Sequence, residues 1–230
     1  MGQHILPGTP PVEVNLKRSA RARRISLRVS GVDGRVTLTL PRGVSDREGL
    51  AFAREKASWL RGHLDQRAPE VTVAIGATIP VEGIHRAICA APGRGVRLTE
   101  NELLVAGAPD SAARRIQAYL RELARDRLAS ASDRHAAALG RDYARLTLRD
   151  TRSRWGSCTA DGGLMYSWRL ILAPAEVLDY VAAHEVAHLA EMNHSRAFWA
   201  LVEQLYGPYA APRQWLRDHG AGLHGYRFDG

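Results

Sequence analysis

The chain has 230 residues, 45% of them hydrophobic and 24% charged, a balance that suits a folded globular protein and excludes a disordered or collagen-like one. No run approaches the roughly 20 apolar residues that a membrane-spanning helix needs, and two cysteines, Cys89 and Cys158, exclude a disulfide framework. The formal net charge of +8 permits attraction to nucleotides, nucleic acid or acidic proteins without establishing any of them. The opening MGQHILPGTPPVEV lacks a basic stretch followed by an apolar core. With free thiols, the expectation is a cytoplasmic protein.

Residues 1–11 carry Pro7, Pro10 and Pro11 and are expected to be a loose arm. VEVNLKR, ISLRVSG and RVTLTLP then place apolar residues two apart, the period of half-buried strands. Asp33-Gly34 marks a hairpin between the last two. Lys17, Arg18, Arg21, Arg23 and Arg24 lie between the first two runs. They read as a solvated turn sooner than a phosphate-binding patch, and no aromatic residue among them offers a base-stacking platform. Ser45 and Glu48 form a capping box that opens a helix running to about Leu64, with Trp59 and Leu60 on its core face.

Five short strand patterns fill 71–106, punctuated by Gly76, Gly83, Gly93 and Gly95. A long helix is expected from Ser111 to Leu139, capped by Asp110 and ended by Gly140. Two strands follow, ARLTLRDTRSRWGSCT and GLMYSWRLILA, joined through Asp161-Gly162-Gly163. Pro174 suits the first turn of the next helix, expected to run to about Met192. Ser195 caps a further helix to Tyr206, Trp215 and Leu216 sit in a last short one, and the Gly-rich tail from Gly220 is expected to be mobile.

Chemistry concentrates in Tyr180–Trp199, which reads YVAAHEVAHLAEMNHSRAFW. His184 and His188 are four apart, on one helix face, with Glu185 between them. The neighbours are apolar or small, so the helix is buried. Two imidazoles and a carboxylate there are costly unless something satisfies them, and a zinc ion would. His194 follows after an expected turn at Asn193, a residue that tolerates left-handed backbone. His194 is the preferred third ligand. Glu203, the one glutamate after Glu191, is the other candidate. Glu191 either orients a ligand or faces solvent. Three protein ligands leave a position for a water whose pKa falls to about 7, and Glu185 would take its proton as general base. Manganese, cobalt or nickel also suit imidazole. The HExxHxxGxxH pattern of metzincins is not met, because Glu191 stands at its glycine and no methionine follows His194.

At SRWGSC (Ser153 to Cys158), HEVAHLAEMNHSRAFW (His184 to Trp199) and the opening RSARARRISLRV…DGRVTLTLP, the chain resembles the YgjP-like metallopeptidases, related to the WLM and SprT-like zinc peptidases. The resemblance implies an α+β fold with a zincin-like catalytic core, a hairpin or sheet plus the HExxH helix. It implies His184, His188 and His194 as ligands, Glu185 as general base, and a peptide or protein substrate. An N-terminal β-rich region with one helix, 1–108, would precede a metallopeptidase domain, 109–230. In zincins a strand borders the cleft and pairs with an extended peptide. Arg154, Gly156 and Ser157 are the candidate substrate-binding residues, with Trp155 as core and Arg154 as an ion pair the competing assignment. Cys158 is a weaker ligand candidate. Phe198 and Trp199 are expected to pack the histidine helix, and Tyr206, Tyr209 and His219 are minor candidates as transition-state donors.

Two other functions use the basic charge: a metal-dependent nucleotide (phosphate-anhydride) hydrolase, and a protease acting beside nucleic acid. The GxxxxGK[ST] phosphate loop is absent.

Overall fold

Residues 3–6 form a strand, not the loose arm expected beside three prolines. In the computed structural model, which describes residues 2–31, 33–65 and 70–228, β1 (Gln3–Leu6) pairs antiparallel with β2 (Val12–Arg18). The prolines fall in the connection, and Leu6 is buried. β3 (Ser26–Val29) and β4 (Val36–Leu40) form the hairpin around Asp33-Gly34. β4 also runs parallel to β2, giving the order β1-β2-β4-β3. The buried alternates Val12, Val14, Leu16, Val36, Leu38 and Leu40 make one apolar face, as a period of two requires.

Ser45 caps α1 (Asp46–Glu55): its Oγ accepts from the Glu48 backbone N–H at 3.2 Å, and Glu48 Oε2 accepts from the Ser45 N–H at 3.3 Å. The expected single helix breaks at Lys56, and α2 (Ala57–Asp65) continues it. Trp59 does not share the core face with Leu60 as expected, because the buried positions Gly49, Ala53 and Leu60 keep one helical phase through the break and leave Trp59 to the side. Leu60 points into the core, and Trp59, one residue round the helix, is 45% exposed against His63. Arg18 pairs with Asp46, while Arg21, Arg23 and Arg24 lie exposed, as a solvated turn would.

The chain divides at 69/70, not at 108/109. The strands of 70–108 belong with the C-terminal unit because their apolar residues, Val73, Ile79, Val81, Ile88, Leu103 and Val105, share a core with the later helices. These strands are β5 (Val71–Thr72), β6 (Thr78–Val81), β7 (Ile84–Ala90), β8 (Val96–Leu98) and β9 (Glu102–Val105), of which the last four form a sheet in the order β6-β7-β9-β8. The long helix α3 (Ala112–Leu139) ends at Gly140, whose φ of +69° suits glycine. Asp110 sits in a 3-10 turn before it, and no side chain caps the start. His135 on α3 is buried, its Nε2 3.0 Å from Asp179.

Two expected strands become three. β10 (Arg145–Arg149) and β11 (Gly156–Cys158) both flank β12 (Gly163–Ser167), β10 parallel and β11 antiparallel. Asp161-Gly162 turns the β11–β12 hairpin. β11 pairs only with β12 among the described strands, so its outer edge is unpaired. After the 3-10 segment 168–172, Pro174 opens α4 (Ala175–Ala187). α4 packs against α3, β11 and two further helices, α5 (Arg196–Tyr206) and α6 (Ala210–His219). This α+β arrangement of a small sheet over a buried histidine helix is the zincin-like core.

From Gly220 to Phe228 the tail is packed, against the mobility expected of it. Residues 220–225 form a 3-10 segment, and β13 (Tyr226–Arg227) pairs parallel with β5. The signal missed is apolar: Leu223 and Phe228 are buried. Arg169 binds the segment, donating to the carbonyls of Leu223 and Tyr226 at 3.0 Å each and to both Asp150 oxygens. Burial would raise the Asp150 carboxyl, but the Arg169 hydrogen bonds and charge outweigh it and hold the group below its ordinary 3.8. A depressed carboxyl stabilises the fold above its unfolded pKa, and that contribution disappears as pH falls through the folded value. Urea melts at pH 5 and pH 3 should therefore show an acid-induced loss that Asp150→Asn does not share in full. An equal loss in both proteins would remove this pair from the acid response.

Candidate metal centre and active site

α4 presents His184 near its last turn and ends at His188, about one turn short of Met192. Turns at Leu189 and Ala190 follow, and the chain returns without a left-handed residue at Asn193. Instead Asn193 Oδ1 accepts from the Ser195 N–H at 3.0 Å, closing a side-chain turn. Ser195 then caps α5 through the Phe198 N–H at 3.3 Å. These two local hydrogen bonds set His194 opposite the helix.

The three imidazoles converge. One ligand-capable atom from each of His184, His188 and His194 lies within 4.8 Å of the others, and the Nε2 atoms of His184 and His194 are 3.1 Å apart. Nitrogens bound 2.0–2.1 Å from one tetrahedral ion would be roughly 3.3 Å apart, close to the His184–His194 separation. His188 Nδ1 lies 2.9 Å from the Glu191 carbonyl. A carbonyl only accepts, so Nδ1 carries the proton and Nε2 keeps its lone pair. Glu191 thus orients a ring through its backbone, while its side chain plays no part in that bond. Burial pushes His184 down to about 3, with His188, His194 and Arg213 adding repulsion. His188 is lowered by burial too, against its bond to Glu191. His184 Nδ1 is buried with no hydrogen-bond partner among the described residues. Neutral, crowded rings with uncommitted lone pairs are poor core residues and good ligands. The donor set fits a borderline-soft divalent ion such as zinc.

Phe198 is the support for all three rings. It is fully buried, stacked on His188 with centroids 4.4 Å apart, and edge-on to His184 and His194 at 4.9 and 4.8 Å. Trp199 lies 5.6 Å from His184 and 5.7 Å from His194.

Glu185, next to His184 on α4, turns towards β11. It is 6% exposed, and burial pushes its carboxyl up to about 8, with the Arg154 charge pulling the other way. Its side chain lies against Gly156: a Cβ built there would stand 2.5 Å from Oε1 and 2.6 Å from Cγ. Arg154 is exposed and Ser157 half-buried, on the far face of the sheet from Gly156. Trp155 stacks on His224 at 5.2 Å and packs on the core. Arg154 makes no ion pair among the described residues. Cys158 is outside the histidine cluster, its thiol pushed up to about 11 by burial and by Glu185. Glu203, exposed on α5, is also outside it. The Tyr206 hydroxyl donates to the Glu176 carbonyl at 3.0 Å, and His219 packs on Trp215. Tyr209 stacks between Tyr180 and Trp199.

Two further neighbours of the rings lie outside the motif. Arg213, from α6, lies over the Trp199 ring at 4.3 Å and its charge reaches His184. Tyr180, one turn before His184 on α4, packs 6.0 Å from that ring. The four-residue spacing to His184 would have found Tyr180; Arg213 is brought in by tertiary packing alone.

A helix carrying two histidines and a glutamate, a third histidine folded back on it and a sheet edge alongside define a metallopeptidase. The chain belongs to the YgjP-like family: the family model described as YgjP-like, metallopeptidase domain, matches residues 23–219. The protein is accordingly a hydrolase of the metallopeptidase class that takes a metal cofactor. Among solved structures, the metallopeptidase zymogen of Pyrococcus abyssi abylysin is similar at 20% identity, over 40% of this chain and 92% of that one, with a TM-score of 0.36. No curated protein matches the chain. Among the described residues no helix is long and apolar enough to cross a membrane.

Proposed function

We propose that the protein hydrolyses peptide bonds with a zinc ion held by His184, His188 and His194 and with Glu185 as general base. The observation that carries this is the convergence of three imidazoles within 4.8 Å, two of them from the helix that also carries the buried Glu185. Bound there, zinc would supply Lewis acidity, polarising a carbonyl and lowering the pKa of water to about 7. Glu185 takes a proton from the attacking water and returns it to the leaving nitrogen. Its burial makes the carboxylate more basic than an exposed one, and a cation held by the histidines would favour its ionised form. Gly156 brings the β11 backbone against that carboxylate, and the unpaired edge of β11 offers N–H and C=O groups to an extended peptide. Phe198 holds the rings in place.

Nucleotide hydrolysis and nucleic-acid-directed proteolysis have the basic charge as their support, with no phosphate loop beside it. The test is cleavage of an unfolded protein substrate. Chelation should abolish it and added Zn2+ should restore it. Cleavage that persists after verified metal removal would end the proposal.

A further inference from the structure

The outer face of the β10–β12–β11 sheet carries a groove of about 460 Å³. Three of its eleven lining residues are arginines, Arg145, Arg149 and Arg154, and none is acidic. The pleat explains why they gather. In β10, Arg145, Thr147 and Arg149 alternate with Leu146 and Leu148, which pack on the core. Thr147 and Ser157 flank Met165 in one cross-strand row on the groove side. Gly156 and Cys158, the alternates of Ser157, face the opposite way, towards Glu185 and the core.

Arg145 is paired with Asp161 at 2.8 Å in an exposed bridge. Arg149 and Arg154 form no ion pair among the described residues. Like charges lining one concave surface repel each other and attract an anion strongly. Guanidinium forks match carboxylates two bonds at a time, and Ser157 adds a hydroxyl donor.

We propose that this groove receives acidic side chains of the peptide substrate, so that the enzyme prefers segments with Asp or Glu at alternate positions near the scissile bond. The proposal rests on the peptidase reading above and names its substrate class. A peptide laid along the free edge of β11 continues the sheet. Its side chains then alternate as those of β11 do, one set towards Glu185 and the histidines, the other towards the groove. Arg154 stands between the two, lining the groove while its charge reaches Glu185. A nucleic acid fits less well, because no aromatic residue lines the groove to stack a base.

The test uses the full-length, zinc-loaded Glu185→Gln protein, which should bind without cleaving. Fluorescent ten-residue peptides with Glu, Gln or Lys at alternate positions are titrated against it, beside a single-stranded RNA of equal charge to the Glu peptide. The Glu peptide should bind about tenfold or more tighter than the Gln peptide. The margin should shrink as salt rises, and Arg154→Glu, beside β11, should remove it or reverse it towards the Lys peptide. Equal binding of the Glu and Gln peptides, or an unchanged margin in Arg154→Glu, would overturn the proposal. So would RNA binding more tightly than the Glu peptide. Wild-type protein that cleaves none of the peptides would count against peptidase activity, while the binding margin still decides the groove.

Discussion

Glu185→Gln should keep its metal and lose about 10²- to 10⁴-fold in peptide cleavage, the range of a general base removed from a hydrolytic step. The substitution is near-isosteric, so the side chain still fills its place beside Gly156 and the histidine rings are untouched. What disappears is the buried carboxyl that follows His184 on α4 and would accept the proton. The loss should fall on kcat, since a group that acts on the water contributes little to holding the peptide. Metal analysis and a thermal melt on the same sample separate this from misfolding. Turnover within a few-fold of wild type would remove Glu185 from the mechanism.

Gly156→Ala should cost about 10²-fold in kcat, as misplacement of a catalytic group by roughly 1 Å can, without loss of metal. The backbone at Gly156 has no positive φ, so alanine brings no local strain. The collision is with Glu185 itself, at 2.5 Å from Oε1, 2.6 Å from Cγ and 2.7 Å from Cδ. An exposed glutamate would swing aside, but this one is enclosed on α4, so either its carboxylate moves or β11 does. A displaced carboxylate lowers kcat at nearly constant KM, while a displaced β11 edge raises KM. A variant with wild-type kcat and KM would show that the contact positions nothing.

The histidine site was legible because its logic is mostly local. Helical period puts His184 and His188 together, Ser195 caps the next helix as its residue type predicts, and Phe198 packs where an aromatic beside buried rings should. What escaped the sequence is whatever depends on two distant faces meeting. Gly156 carries a general signal for close approach, but nothing local says that Glu185 is what approaches it. Asn193 was read for left-handed backbone and instead uses its side-chain oxygen, since both devices turn a chain. Trp59 and Leu60 are both apolar in sequence, but only Leu60 shares the helical phase of the buried Gly49 and Ala53. The packing of the tail from Gly220 to Phe228 depends on a buried arginine, Arg169, more than 50 residues earlier in the chain. Composition made that segment look mobile because its glycines outnumber the two apolar residues that anchor it.

The account depends most on one ion being held by three rings, and metal content per chain tests that directly. Protein purified without added metal, then equilibrated with Zn2+ and desalted, should carry one zinc ion per chain, and His184→Ala, His188→Ala and His194→Ala should each lose it. Zinc retained at full stoichiometry in His194→Ala, or absent from the wild type under conditions where it is folded, would contradict the site.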